Sequence, residues 1–383
     1  MLLRTRRIVY LTFIFIFLIV TPVIIFYAAG YRYNFEKHKL QKTGIFILKS
    51  KPEGAKIFLN NKPKNIVTPA RIGNLLPGDY TVRVERDGFY PWQKILPVES
   101  RLTTFAENIL LFQKSLPVEI IDGQIDSFAI SPTKQKIVYL ETRETGDEIW
   151  LFNFKTSGKK MLYRLSAKDG EKIDLEWSRD GQKIMIASGD GISQNKKFIV
   201  LNTENDEASV YQNLGDFYPS FRGISGRQID ASELDRFLFI DSPPNFVTTI
   251  DKENQDMTVS DAQSGEKLLE EKANFATWTD DGKKLLYFNN FELWVYDLIS
   301  DQKKLIGRYS QGIKKSLWVN NDYIAVLLDN TLKVIELDER DQRNVVDLAT
   351  LEAIDDFDVD QTKQKIYFVA TMGNKKGVYE LQY

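Results

Sequence analysis

LEWSRDGQKIMIA, residues 175–187, decides the reading of most of this chain. An apolar or aromatic residue, here Trp177, sits on a short strand. A polar turn follows and holds Asp180-Gly181, a pair that suits hairpin turns because Gly takes positive φ at no steric cost. Lys183 then leads into a second, strongly apolar strand. The plan recurs in FAISPTKQKIVYL (128–140), FATWTDDGKKLLYF (275–288) and DFDVDQTKQKIYFV (356–369). Weaker copies are IDASELDRFLFI (229–240) and SLWVNNDYIAVLL (316–328).

The copies also continue alike. DEIWLFNFKTSGKKML (147–162) parallels FELWVYDLISDQKKLI (291–306), with Trp150 and Trp294 in equivalent places. FIVLNTEN (198–205), MTVSDAQSGEKLL (257–269), TLKVIELDER (331–340) and GVYELQY (377–383) fill the same slot. The marker residues Phe128, Trp177, Ile229, Trp278, Trp318 and Phe357 are 49, 52, 49, 40 and 39 residues apart. A unit of that length with four short strands is a propeller blade, and one blade cannot bury its own faces. Six blades are expected over 113–383. The last has three strands, and the unassigned strand LPVEIID (116–122) is expected to supply its fourth and close the ring without a loose edge. Seven blades also fit, because 188–228 and 241–256 exceed what one blade needs.

The pattern Trp177-Ser178, Asp180-Gly181, Ile184, repeated as Trp278, Asp281-Gly282, Leu285, resembles that of TolB-like and WD40-like propellers. The paired His and Trp-Asp of a full WD40 signature are absent. The resemblance implies a fold and no single function, since propellers serve binding, scaffolding and catalysis alike.

Ahead of this region lies a second β-rich stretch, 43–112. GIFILKS (44–50) is a strand, and KPEGAKIFLNN (51–61) turns a corner and alternates. Ala55, Ile57 and Leu59 face one way, Lys56, Phe58 and Asn60 the other. Asn60-Asn61 suits a tight turn, and Thr68-Pro69-Ala70 is extended. Leu76-Pro77-Gly78-Asp79 is a turn, and Tyr80, Val82 and Val84 share the next buried face. YPWQKILPV and LTTFAENILLF supply the last strands of a small β-sandwich. Pro52-Glu53-Gly54-Ala55, Thr68-Pro69, then Leu75, Pro77, Gly78, Tyr80, Val82 and Val84, then Gly88-Phe89, strongly resemble a PEGA domain. The family is typical of exported or envelope-associated proteins and implies surface structure or binding. Gly54 and Pro52 are read as a strand corner, where Gly relieves backbone strain and Pro stiffens the approach, rather than as a ligand loop.

Residues 8–30, IVYLTFIFIFLIVTPVIIFYAAG, carry no charge. At about 1.5 Å per residue they span a hydrocarbon layer of about 30 Å. Arg4, Arg6 and Arg7 precede them, and Tyr27, Tyr31 and Tyr33 sit where amphipathic rings favour headgroups. A single transmembrane helix is expected, with 1–7 as a cytoplasmic tail, 31–42 as a charged stalk, and residues 31–383 on the extracytoplasmic side of the plasma membrane. A cleaved signal peptide is the competing reading, but Ala28-Ala29-Gly30 is a poor cleavage site.

Composition narrows the chemistry. Fifty-one basic and 53 acidic residues leave a net charge of -2, which argues against nucleic acid as partner. Twenty-four Phe, 17 Tyr and 6 Trp suit an all-β protein. There is no cysteine and one histidine, His38, read as solvated near the membrane surface. No Ser-His-Asp triad, thiolate nucleophile or multi-histidine zinc site can be built. Asp180-Gly181 and Asp281-Gly282 read as turns rather than ligands, and Trp150 and Trp294 as inter-blade packing. Glu233 and Asp235 could face the funnel with nothing to pair them. No catalytic, cofactor or metal residue is assigned. The expected function is non-catalytic, binding or scaffolding through the propeller, with an envelope protein, glycan or peptidoglycan as partner. Recognition would sit at the blade-top funnel or on the long loops 188–196 and 241–256. The alternative is a carboxylate-based glycan-active hydrolase or lyase, which needs two acids facing one another across the funnel.

Overall fold

The computed structural model describes residues 3–35, 37–144, 146–165, 173–188, 197–205, 207–222, 231–373 and 375–383. It is nearly all β, with one long apolar helix at the N-terminal side. The chain divides into two compact units, 1–114 with 338–344, and 115–337 with 345–383.

In the first unit the helix Leu3–Ala28 contains Pro22 and ends at Gly30, whose φ is +81°. Its stretch Arg6–Ala28 is long and apolar enough to cross a membrane. Residues 31–42, expected as a stalk, form a hairpin of Tyr31–Asn34 against Lys39–Lys42, with the exposed His38 at its turn.

Two sheets follow. In one, Gly44–Lys51 lies between Ala70–Leu75, antiparallel, and Thr103–Leu110, parallel. The other orders Lys62–Val67, Lys56–Leu59, Gly78–Glu85 and Trp92–Val98, all antiparallel. Alternation sends Phe46 and Leu48 from the first sheet and Ile57, Leu59, Val82, Val84 and Leu96 from the second into one core. Asn60 and Asn61 both take positive φ, at 50° and 61°, as a two-residue hairpin turn requires.

One residue breaks the apolar rule. Lys94 falls on the buried face of Trp92–Val98 and is fully buried. Its Nζ donates to the carbonyls of Asp338 at 2.7 Å, Arg340 at 3.0 Å and Gln342 at 2.8 Å. An ammonium has three protons, and here each has an acceptor, which offsets the cost of taking the charge out of water.

The second unit holds six four-stranded antiparallel sheets among the described residues. Their leading strands are Ile125–Ile130, Ile173–Trp177, Phe237–Ile240, Phe275–Trp278, Ile313–Asn320 and Ala353–Asp360. In the first five, strands follow one another in chain order. The sixth runs Ala353–Asp360, Lys365–Met372, Lys375–Gln382, and then Val118–Asp122, which pairs antiparallel with the C-terminal strand. Apolar clusters join successive sheets. Val138 and Ile149 of the first pack with Ile184 and Ile199 of the second. Met185 and Val200 pack with Phe239, Met257 and Val259 with Leu285, and Leu286 and Val295 with Ile324 and Val326. Tyr367 and Val369 of the sixth sheet pack with Ile125, Phe128 and Tyr139 of the first.

The third sheet corrects the sequence reading. Ile229 lies outside the described residues, and Ala231–Arg236 is a helix rather than the first strand of a hairpin. ASELDR has no β-branched residue and four good helix formers, and Leu234 anchors it in the core. The hairpin is displaced to Phe237–Ile240 and Phe246–Asp251. Consequently 241–256 is no long loop, since Val247-Thr248-Thr249-Ile250 is a β-branched core strand.

Candidate functional site

The conserved plan of the hairpin copies becomes geometry at the turn after each leading strand. Ser131, Ser178 and Thr279 are buried, and their hydroxyl oxygens accept the backbone N–H of Lys136, Lys183 and Lys284 at 2.9–3.1 Å. Ser242 does the same for Thr248. In two copies an Asp completes the turn. Asp180 Oδ1 accepts from Ser178 Oγ at 2.5 Å and from the Gln182 N–H at 3.0 Å. Asp281 Oδ1 accepts from Thr279 Oγ1 at 2.7 Å and from the Lys283 N–H at 3.2 Å. These bonds hold both carboxyls below the usual range, the hydroxyl contributing most. Gly181 and Gly282 take φ of +70° and +67°. The Asp-Gly pairs are therefore occupied by their own turns.

Three tryptophans near the ends of leading strands, Trp177, Trp278 and Trp318, reach to the preceding sheet. Trp177 Nε1 donates to the Ala129 carbonyl at 2.9 Å, and Trp318 Nε1 to the Thr277 carbonyl at 3.0 Å. Trp278 Nε1 donates to Thr248 Oγ1, also at 3.0 Å. Three of the marker residues are thus sheet-to-sheet fasteners.

Trp150 and Trp294 pack in the clusters that join their sheets to the sheet before them. Each indole also donates to a glutamate two residues earlier, Glu148 at 3.0 Å and Glu292 at 3.1 Å. An arginine sixteen residues on closes each group: Arg164 on Glu148 at 2.5 Å and Arg308 on Glu292 at 2.7 Å. The Arg164 hydrogen bond chiefly holds the Glu148 carboxyl down. For Glu292 the Trp294 bond leads and Arg308 adds to it. Both copies share the Glu-x-Trp spacing, but no local pattern in the sequence marks the arginine sixteen residues on.

A lattice of charges joins the leading strands of the sixth, first and fifth sheets to Lys376 on the strand Lys375–Gln382 and Lys134 in the turn after Ile125–Ile130. Lys376 Nζ lies 2.9 Å from Asp126 and 3.1 Å from Asp355. Lys315 meets Asp356 at 2.8 Å, and Lys134 meets Asp358 at 3.4 Å. Burial pushes the Asp126 carboxyl up, but hydrogen bonds from Thr142 and Lys376 outweigh it and the net shift is downward. Burial likewise pushes Lys376 down, and its two aspartates more than reverse that. Acid and base here stabilise one another's charged forms, the opposite of a carboxyl poised to give up a proton. None of these residues was singled out in the sequence, where they are scattered polar positions on strands and in a turn.

Other candidates dispersed. Glu233 sits on the short helix Ala231–Arg236, off the leading strands, and the side chain of Asp235 lies outside the described residues. Residues 189–196 of the long-loop candidate also lie outside them. The corner Pro52–Ala55 is tied inward: the Gly54 N–H donates to the Thr68 carbonyl at 2.7 Å, and the Thr68 N–H to the Ala55 carbonyl at 2.9 Å. The Lys51–Pro52 and Thr68–Pro69 bonds are both cis. Among the described residues no group of three His, Asp or Glu side chains could hold a metal ion.

The corner, its Thr-Pro partner and the Pro-Gly-x-Tyr hairpin now stand in one small module. Residues 43–111 match the PEGA domain. The PEGA domain thus ends where the chain leaves the parallel strand Thr103–Leu110. A search of curated proteins found no match. Solved structures that resemble the chain include a β-propeller domain. It is that of Myceliophteria thermophila Cps50 (Swd1), 10% identical, TM-score 0.45, over 70% of this chain and 99% of that one. Another belongs to the mitotic checkpoint complex, 9% identical, TM-score 0.47, over 71% and 93%. TolB from Acinetobacter baumannii is 17% identical, TM-score 0.37, over 72% of this chain and 60% of TolB.

Proposed function

We propose that this chain is a single-pass membrane protein of the cell envelope that binds or scaffolds a partner without catalysis. In this reading the helix within 8–30 anchors it in the plasma membrane. Residues 31–383 lie outside the cytoplasm, the PEGA domain is a β-sandwich that spaces the chain or contacts envelope material, and the six sheets are the blades of a closed propeller. The ring is supported by apolar packing of each of the first four sheets on the next and of the sixth on the first, by the Lys315–Asp356 contact between the fifth and sixth, and by Val118–Asp122 joining the last strand. The observation that carries the non-catalytic reading is the leading-strand lattice. Asp126, Asp355, Asp356 and Asp358 each already face a lysine. A glycan hydrolase would need two carboxyls facing each other with one kept protonated. A rigid ring with paired charges offers a patterned surface for an envelope protein or glycan instead.

The test is photo-crosslinking of the full-length protein in its own membranes, followed by affinity recovery. A discrete partner that is lost when Lys315 and Lys376 are reversed to Glu supports the reading. Turnover of an envelope glycan by the purified protein, abolished by Asp126→Asn, would sink it.

A further inference from the structure

The hairpin between the helix and the PEGA domain has two unlike faces. Pairing of Tyr33 with Leu40 and of Tyr31 with Lys42 puts those four side chains on one face, and Arg32, Asn34, Lys39 and Gln41 on the other. The second face is satisfied internally, with Asn34 Nδ2 donating to Gln41 Oε1 at 2.8 Å. The first is not. Tyr33 is 44% exposed and Leu40 52%, and Phe35 at the turn is 79% exposed while its ring meets Tyr33 edge-on at 5.0 Å. An isolated two-stranded hairpin is marginal in water, and one that leaves its apolar face bare gains even less from folding.

Its base is nevertheless fixed to the helix end. The Thr43 N–H and hydroxyl both donate to the Gly30 carbonyl, at 3.0 and 3.1 Å. The Arg32 guanidinium lies 3.5 Å from the centre of the Tyr27 ring and donates to the Tyr27 carbonyl and to Asn74. Phe26 meets Tyr31 edge-on at 5.5 Å. The hairpin therefore starts within one residue or two of the end of a membrane-length apolar helix. Its stretch 31–42 carries Arg32, Lys37, Lys39 and Lys42 against Glu36 alone.

We infer that this hairpin lies on the bilayer, its Tyr33–Phe35–Leu40 face in the headgroup boundary and Lys37 and Lys42 on anionic lipid headgroups. The inference rests on the anchor reading above. Aromatic rings gain most at that depth, and each nearby cation adds attraction to an anionic surface. Covering the bare face would hold the hairpin in place, so the first strand of the PEGA domain would leave the membrane at a fixed site.

The chain has no cysteine, so one introduced thiol can carry a nitroxide alone. Leu40→Cys and Lys39→Cys place labels on opposite faces of the hairpin, Phe15→Cys lies in the helix, and the exposed Ile299→Cys is the aqueous control. Full-length protein is reconstituted in phosphatidylcholine vesicles with and without phosphatidylglycerol. Collision with oxygen against a water-soluble nickel chelate then reads depth. Position 40 should shift toward oxygen and position 39 toward the chelate, with a larger shift at 40 in phosphatidylglycerol. Replacing Lys37 and Lys42 by Gln in the Leu40→Cys chain should erase the lipid difference. A deep label at 15 with position 40 matching position 299 overturns the inference and leaves the anchor standing. A label at 15 that reads as aqueous overturns both. Equal shifts at 40 in the two lipids overturn the anionic preference.

Discussion

Ser50 and Thr68 touch through their hydroxyl oxygens at 2.6 Å, both buried in the PEGA domain. Ser50 donates to the Pro52 carbonyl at 2.8 Å, and Thr68 Oγ1 accepts from the Ala55 N–H at 3.1 Å. The proton order is therefore fixed: Ala55 N–H to Thr68, Thr68 to Ser50, Ser50 to Pro52. Each hydroxyl both gives and receives, so the corner that looked like a possible ligand loop spends its polar groups on itself. Thr68→Val keeps the shape, orphans the buried Ala55 N–H and leaves Ser50 without its donor. It should destabilise the PEGA domain by about 1–3 kcal/mol, read as a lower denaturant midpoint of the full-length protein. Thr68→Ser should recover most of the loss.

Two equivalent turn glycines should respond unequally to alanine. A Cβ on Gly282 would sit 2.7 Å from Pro243 Cγ, whereas on Gly181 it would be 3.5 Å from Pro132 Cδ. Both substitutions carry the cost of a positive φ, about 1 kcal/mol or more. Gly282→Ala adds a steric clash and should lower the thermal midpoint clearly further than Gly181→Ala. Equal losses would show that Pro243 moves aside without cost.

Tyr287 is almost fully buried, and its hydroxyl has no hydrogen-bond partner among the described residues. Burial pushes its pKa well up, so the group is neutral at any ordinary pH. Tyr287→Phe removes an unsatisfied polar atom at constant shape. It should be neutral or stabilising by up to about 1–2 kcal/mol, measured by urea unfolding with the slope unchanged. A loss of stability would mean that the hydroxyl is satisfied in solution.

Acid sensitivity has a defined sign. Asp126, Glu148, Asp251 and Glu292 all have folded pKa values below their unfolded ones. Their contribution is complete above the ordinary carboxylate range, near 4, and is lost as pH falls through the lowered folded values. The thermal midpoint should stay level from about pH 7 to 5 and fall below that. The Glu148→Gln, Glu292→Gln double variant should begin lower and fall less steeply over the acid limb, followed by circular dichroism.

Much of this architecture could be read from residue order. Period-two alternation placed Ala55, Ile57, Leu59, Val82 and Val84 on a buried face, and all five are within 3% of full burial. The repeated turn located five of the six leading strands, those of Phe128, Trp177, Trp278, Trp318 and Phe357. The third sheet escaped because IDASELDRFLFI fits the spacing of a hairpin while its local propensity favours a helix, and propensity won over 231–236. The strand Phe246–Asp251 escaped because two prolines just before it read as the start of a loop. The charge lattice escaped for another reason. Its partners come from residues as distant as Asp126 and Lys376, and no local pattern marks them. Lys94 hid in the same way, since a lysine on a strand suggests solvent until its three carbonyls are seen.

The strand Val118–Asp122 also sets a timetable. Its partner, Lys375–Gln382, is made more than 250 residues later, so at about 5–20 residues per second the ribosome leaves it waiting for tens of seconds. Through that interval the six-sheet unit can collapse around successive hairpins, which need only local contacts. Its sixth sheet stays incomplete, with an unpaired edge open to any other extended chain. The unit cannot finish folding before the last of these strands has emerged. This also makes the interval before residue 382 appears the moment when a chaperone is most needed.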